Sequence, residues 1–159
     1  MISDLKSASE KVGLEMNMTK TKILTKDITP ITIDDEAIDI VNEYVYLGHL
    51  IKLGIENQQA EINRRVRLTW IARGELGNVL RNKNIPINRK TKIFNSCILP
   101  VLTYGLETTT LTIKTANKLR TTQRSIERHM LGVNLRDHIR NEEIRRRTKV
   151  EDVIKRAVT

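Results

Sequence analysis

The feature that most constrains the fold is a change in hydrophobic periodicity near residue 57. Before it, apolar residues alternate with polar ones, most clearly within residues 31–40, as they do in half-buried strands. After it, apolar residues share a helical face, as do Ile62, Val66 and Trp70. The pattern predicts an α+β fold, in which a small antiparallel β/hairpin head over residues 1–57 precedes a mainly α-helical bundle over residues 58–159.

Local signals predict where the helices begin and end. In the head, a helix is expected over residues 3–12, with Gly13 placed to end it, and an extended stretch is expected from Tyr44 to Ile51. In the second part, helices are expected from Gln58, from Asn88, from Ile113 to Leu131, from Asn141 and from Thr148. Pro100 lies inside an apolar helical stripe and is expected to kink or stop that helix. Thr148-Lys-Val-Glu151 fits a capping box, so Thr148 is expected to start the last helix.

Charge also differs between residues 1–57 and residues 58–159. Residues 1–57 carry six Lys, no Arg and ten acidic residues, a net charge of −4. Residues 58–159 carry 22 Lys and Arg and nine acidic residues, a net charge of +13. Such a field of one sign attracts polyanions, and nucleic acid is the expected partner. A membrane partner is disfavoured, because only five residues are aromatic and no apolar run approaches the ~18 residues of a membrane span.

The basic residues of the second part fall into clusters on consecutive predicted helices. These candidates for nucleic-acid binding are Arg64, Arg65 and Arg67, then Lys90 and Lys92, then Arg120, Arg124 and Arg128. Lys and Arg at helical spacing can follow a phosphate backbone. The alternative is that each cluster is only a solvated helix face.

The head contains two groups of residues with catalytic potential. Asp34-Asp35 could hold divalent cations, but a third carboxylate is needed and Asp favours turns, so a solvated hairpin turn is expected. Lys20 and Lys22 could neutralise a triphosphate or donate a proton to leaving pyrophosphate, although the residue types alone favour a solvated strand edge.

Metal-ligating and nucleophilic residues are few. His49, His129 and His138 lack the spacing of zinc ligands, so no metal site is expected. Cys97 is the only cysteine, and its place in an apolar stripe predicts a core position. A chain that cannot form an internal disulfide is expected in an intracellular, reducing setting, and the nucleus and the cytoplasm are equally compatible with it.

The order of short segments resembles non-LTR (LINE-type) retrotransposon reverse transcriptases. The head contains Val12-Gly-Leu-Glu-Met-Asn17, then Lys20-Thr-Lys22, then Tyr46-Leu-Gly48, which are similar to the end of the palm. The helical part contains Ile98-Leu-Pro-Val-Leu-Thr-Tyr-Gly105, Gln123-Arg-Ser-Ile-Glu-Arg128, Met130-Leu-Gly132 and the segment from Leu135 to Ile144, which are similar to the thumb and the region after it.

The resemblance implies roles for particular residues. Lys20 or Lys22 corresponds to the lysine that helps to position the incoming nucleotide, and Tyr46, Leu47 and Gly48 correspond to the primer grip. The helices over residues 58–159 correspond to the thumb, which packs against an RNA–DNA or DNA duplex. No cofactor is implied for this chain, whereas the intact enzyme uses Mg²⁺.

One departure from the family pattern concerns catalysis. The family's Ala-Asp-Asp motif lies just upstream of the helix that opens this chain, and Asp34-Asp35 follows Lys20-Thr-Lys22, in the wrong order to replace it. We therefore expect a palm-end and thumb fragment without catalytic residues, inactive alone. Two alternatives remain open, a free-standing basic helical nucleic-acid-binding module and a structural or interaction protein, and the oligomeric state is open in each case.

Overall fold

The computed structural model describes residues 2–27, 29–33 and 36–158. The chain divides into two compact units, residues 1–57 and residues 58–159. This division lies where the charge and the periodicity of the sequence change. Short strands in the first unit and helices in the second confirm the predicted α+β class. Asp34 and Asp35, the expected solvated turn, lie outside the described residues.

The first unit contains one helix and short paired strands. Its elements are α1 (Ile2–Lys11), β1 (Lys22–Leu24), β2 (Thr32–Ile33), β3 (Glu36–Ala37), β4 (Asp39–Val41), β5 (Glu43–Tyr46) and β6 (His49–Lys52). The β2–β3 and β5–β6 pairs are antiparallel, as expected for the head. The β1–β4 pair is parallel, which the expected antiparallel head did not include. Alternation of apolar residues marks a strand but not its partner, so this pairing could not be predicted locally.

Few apolar side chains are enclosed in the first unit. Ile33, Ile38 and Leu50 are its buried hydrophobic residues within the described ranges. Leu5 in α1 and Val12 just after it remain 60% and 71% exposed. The described part of the head therefore has only a small core.

The second unit is helical throughout. Its elements are α2 (Asn57–Glu75, which begins at the last residue of the first unit), α3 (Gly77–Leu80), α4 (Ile87–Ile93), a π-helix (Phe94–Ile98), α5 (Leu99–Thr103), a 3₁₀ turn (Leu106–Thr108), α6 (Ile113–Leu131), a 3₁₀ turn (Leu135–Asp137), α7 (Asn141–Thr148) and α8 (Val153–Val158). Its core centres on Phe94, Ile98, Leu102, Leu119 and Ile126, which have no exposed surface. This core holds α6 in the middle of the unit.

Pro100 does not stop its helix. The chain passes from α4 through the π-helix into α5, where Pro100 is the second residue. Proline lacks an N–H group and removes one bond of the α-helical ladder, and a single π turn is a common way to accommodate such a loss. The helix ends instead at Tyr104, and Gly105 takes up a left-handed φ of 71°.

The predicted capping box at Thr148 is wrong. Thr148 is the last residue of α7, and its hydroxyl donates a 2.7 Å hydrogen bond to Oε2 of Glu127 on α6. Asp152 caps α8 instead, because its Oδ1 accepts from the backbone N–H groups of Ile154 (2.9 Å) and Lys155 (3.2 Å). The Thr148 hydroxyl, which the local sequence predicted to cap a helix, therefore donates to the buried carboxylate of Glu127 instead.

Candidate nucleic-acid interface

Arg65 belongs to the interior of the second unit and not to its basic surface. It is 5% exposed. Its Nε lies 2.5 Å from Oε1 of Glu61, and its guanidinium lies 4.5 Å from the centre of the Tyr104 ring. Because these contacts balance and enclose its charge, Arg65 cannot present a free guanidinium to a phosphate backbone.

Lys90 is likewise buried, although it was predicted to face nucleic acid. Its Nζ donates a 2.9 Å hydrogen bond to the carbonyl oxygen of Met130, and the residue is 5% exposed. Burial lowers the pKa of Lys90. The structure therefore places both Arg65 and Lys90 in the framework of the helical unit.

The other predicted cations are accessible to different extents. Arg67 and Lys92 are exposed, and Arg64 is half-buried, with its Nη1 3.7 Å from Oε2 of Glu61. On α6, three half-buried arginines form a row, which we call the α6 arginine row: Arg120, Arg124 and Arg128. This row lies away from the face of α6 that packs into the core, so it stays available to a backbone of phosphates.

A groove lies beside this row, between α2 and α6. Its first part, of about 570 Å³, is lined by Gln59, Trp70, Lys114, Asn117, Lys118, Thr121, Thr122 and Ser125. A hydrogen bond of 2.5 Å from Nζ of Lys118 to Oδ1 of Asn63 joins the two helices. Trp70 is half-buried, since it packs against the core and also lines the groove.

A second part adjoins the first at Ser125, which lines both. The second part, of about 480 Å³, is lined by Ser125, Arg128, His129, Val133, Asn134, Leu135 and Arg136. Within the described residues, no Asp or Glu lines either part. We call the two parts together the α2–α6 groove.

His129 lines the second part of the groove, and Arg73 of α2 lies beside it. Nη2 of Arg73 is 3.0 Å from Nδ1 of His129, and the ring centres of Trp70 and His129 are 6.2 Å apart in an edge-to-face arrangement. Burial lowers the pKa of His129, and the nearby charges of Arg73 and Arg81 lower it further. Nε of Arg73 is buried and has no hydrogen-bond partner in the described part of the chain. Two arginines, Arg73 and Arg81, thus bring positive charge close to His129.

The nucleotide-positioning candidates of the head differ in their surroundings. Lys22 on β1 forms a 2.9 Å ion pair with Asp39, its partner in the parallel β1–β4 register. Lys20 is exposed in the turn before β1. Of the two lysines, Lys22 is the one with an ion pair among the described residues.

The primer-grip-like residues lie at a hairpin turn. The sequence predicted one extended stretch from Tyr44 to Ile51, but β5 and β6 fold back on each other, with Tyr46 opposite His49. Leu47 and Gly48 form the turn, with φ values of 47° and 77°. Leu47 is 75% exposed. Sequence reasoning missed this turn because a leucine seldom adopts a left-handed conformation.

Cys97 is exposed, so the prediction that it lies in the core is wrong. It falls within the π-helix, whose i→i+5 bonds insert one extra residue into the turn. This insertion keeps Phe94 and Ile98 buried and turns Cys97 towards solvent.

Two further observations concern metals and membranes. Among the described residues, no three His, Cys, Asp or Glu side chains are grouped so that they could hold a metal ion. None of the described helices is long and apolar enough to cross a bilayer.

The chain is similar to a transposon-derived protein. Over 96% of its length it is 32% identical to a Caenorhabditis elegans protein that is provisionally named as transposon-derived and uncharacterized. The chain spans 58% of the length of that relative. No protein-family model and no solved structure matches the chain. The similarity supports an origin in a transposable element.

Proposed function

We propose that the chain is the palm-end and thumb part of a retrotransposon RNA-directed DNA polymerase, and that residues 58–159 grip the template–primer duplex. The transposon-derived relative and the order of reverse-transcriptase-like segments support this proposal. Because the chain spans 58% of that relative, the polymerase activity, the Mg²⁺ it requires and an intracellular setting all belong to the proposal.

The α6 arginine row is the observation that carries the proposal. Its residues are half-buried, so their stems are held in place while their guanidinium groups can reach a ligand. Nη2 of Arg128, for example, donates a 2.5 Å hydrogen bond to Oδ1 of Asn141, which fixes its direction. Exposed Arg67 and Lys92 add positive charge to the same unit. Contacts of this kind neutralise backbone phosphates and are insensitive to base sequence.

The head has a separate role in this proposal. Lys20 positions the phosphates of the incoming nucleotide, because Lys22 is engaged by Asp39. The exposed turn at Tyr46, Leu47 and Gly48 contacts the primer. The chain itself binds and positions, and the two metal ions of the reaction are held by other parts of the intact enzyme.

The test is a binding titration of the full chain with a fluorescent RNA–DNA hybrid at several salt concentrations. Affinity is expected to fall with salt, with a slope of about −0.9 per phosphate neutralised. Arg120→Gln with Arg124→Gln should reduce that slope by about one unit for each arginine.

A charge-matched control separates contact from net charge. Arg146→Gln with Arg147→Gln removes the same charge from residues that are already paired with Glu143, at 2.7 and 2.6 Å. This variant is expected to retain most of the affinity. Equal losses in the two double variants, or binding without a salt slope, would overturn the proposed duplex grip.

A further inference from the structure

We propose that the α2–α6 groove is a binding site for single-stranded nucleic acid, which adjoins the surface that grips duplex and shares Arg128 with it. A base stacks on Trp70, and the phosphates on either side contact Lys114 and Lys118 in the first part of the groove and Arg128 and Arg136 in the second. The inference rests on the proposed nucleic-acid function and names a second kind of ligand for it.

The first argument is the charge of the lining. Lysines and arginines line both parts of the groove, and no carboxylate from the described residues does. A third depression in the same unit shows the contrast, because Glu151 and Asp152 lie there beside Arg145, Lys149, Lys155 and Arg156. In the α2–α6 groove no lining carboxylate balances the positive charge, which favours an anionic ligand.

The second argument is the shape of the site. Lys114 and His129 lie 15 residues apart on α6, which corresponds to ~22 Å at ~1.5 Å per residue. That length fits a stretch of about six stacked nucleotides at ~3.4 Å each. The charged lining along a path therefore points to a polymer of phosphates and not to a single small anion.

The third argument is Trp70, the only tryptophan of the chain. Its indole lines the groove between the basic residues, where an aromatic ring offers a stacking surface to a base. Bases in a duplex are already stacked and paired, whereas those of a single strand are free to stack on an aromatic side chain. The combination of basic residues with one aromatic ring therefore favours a single strand.

A fourth observation concerns the surroundings of His129. His129 lines the second part of the groove and lies beside Trp70 and Arg73. Nε of Arg73 is a buried donor without a partner in the described part of the chain. Burial and the nearby charge of Arg81 lower the pKa of Arg73. A phosphate bound close to Trp70 would offset the positive charge of Arg73.

Trp70 is also the probe for the test. A twelve-residue oligothymidylate is titrated into the full chain, and the intrinsic tryptophan fluorescence is recorded. Stacking on Trp70 is expected to quench this fluorescence, while an RNA–DNA hybrid of the same length is expected to bind without quenching it. Saturable quenching by the hybrid equal to that by the single strand would overturn the inference.

Variants localise the site. Trp70→Ala should weaken oligothymidylate binding by about tenfold, from the ~1–3 kcal/mol of one stacked base, with hybrid affinity unchanged. Because Trp70 also packs against the core, the exposed pair Lys114→Gln with Lys118→Gln gives an independent reading and should weaken the single strand selectively. The control is Lys149→Gln with Lys155→Gln, an exposed pair in the depression that contains carboxylates.

The outcomes separate this inference from the proposed function. If the hybrid binds with a salt slope but oligothymidylate does not quench the tryptophan fluorescence, the inference is wrong and the proposed duplex grip is retained. The inference is also wrong if Lys114→Gln with Lys118→Gln does not change the quenching by oligothymidylate. Loss of hybrid binding alone, with quenching retained, overturns the duplex grip and leaves the single-strand site standing.

Discussion

The ammonium group of Lys90 donates a hydrogen bond to the carbonyl oxygen of Met130, and so joins α4 to the last turn of α6. Carbonyl groups in the last turn of a helix lack partners within it and form the negative end of the helix dipole. Lys90 belongs to a basic cluster in the sequence, but in the structure its hydrogen bond connects α4 to α6.

Lys90→Met is therefore expected to destabilise the helical unit and to spare nucleic-acid binding. Loss of a charged hydrogen bond to a buried carbonyl should cost about 2 kcal/mol. Urea denaturation measures the loss, and titration with RNA–DNA hybrid measures binding by the folded variant. Lys92→Met, at an exposed position two residues away, is the control. It should leave stability unchanged and weaken binding of the hybrid. Unchanged stability in Lys90→Met would contradict the assignment.

Glu61→Gln should be among the most destabilising single substitutions in α2. Glu61 is 1% exposed and balances Arg65, which is 5% exposed, so the substitution leaves a buried guanidinium without its counter-charge. Breaking such a pair should cost about 3 kcal/mol. Thermal unfolding measures the effect, and Glu75→Gln, on the exposed end of the same helix, should change stability little. Similar effects of the two variants would count against the assignment.

Glu127→Gln should change how stability depends on pH. Burial raises the pKa of Glu127, even though hydrogen bonds from Thr148 and Gln123 and the charges of Arg145 and Arg124 lower it. In the folded state the carboxyl keeps its proton above pH 4.5, where the unfolded carboxyl loses its own. The wild-type protein therefore loses stability as pH rises from about 4.5 to the raised pKa.

Glutamine has no such proton to lose. The free energy of unfolding of Glu127→Gln, relative to the wild type, should thus increase between pH 4 and pH 7. Urea unfolding at several pH values measures this difference, and Glu142→Gln, an exposed residue of α7, is the control. A difference between Glu127→Gln and the wild type that is constant with pH would refute the prediction.

Leu47→Asn should stabilise the β5–β6 hairpin. The φ values of 47° and 77° at Leu47 and Gly48 are typical of a type I′ turn, in which Asn-Gly is preferred. A leucine in a left-handed conformation costs roughly 1 kcal/mol, which asparagine largely avoids. Backbone amides of β5 and β6 should therefore exchange with deuterium about fivefold more slowly.

Leu53→Asn serves as the control, because Leu53 is also exposed but lies beyond the strand pair. Faster exchange in Leu47→Asn would contradict the turn assignment.

If the turn contacts the primer as proposed, the same variant should also weaken binding to a recessed primer end, because an exposed apolar contact is lost while the turn becomes more stable.

Helix limits could largely be predicted from the sequence. The third predicted helix and α6 both run from Ile113 to Leu131, and the predicted start at Asn141 is that of α7. At the start of α6, the Thr112 side chain accepts from the backbone N–H of Thr115, and Gly132 takes a left-handed conformation at its end. Both signals act within a few residues, which is why they can be recognised without the fold.

The surroundings of single side chains could not be predicted in the same way. Thr148 was expected to cap a helix but donates to Glu127, and Cys97 was expected in the core but is turned outward by the π-helix. The primer-grip-like segment was expected to be extended but contains a turn at Leu47 and Gly48. In each case a contact or a backbone shift outside the local pattern decided the outcome.

The sequence by itself determined the α+β class, the approximate starts of α2, α4, α6 and α7 and the concentration of positive charge on residues 58–159. Periodicity, caps and net charge are properties of neighbouring residues, so no fold is needed to recognise them. Only the tertiary structure decided that Arg65 and Lys90 are enclosed, and that Trp70 and Lys118 line one groove. Those relationships join residues far apart in the chain, and they arise when α2, α4 and α6 assemble around a common core.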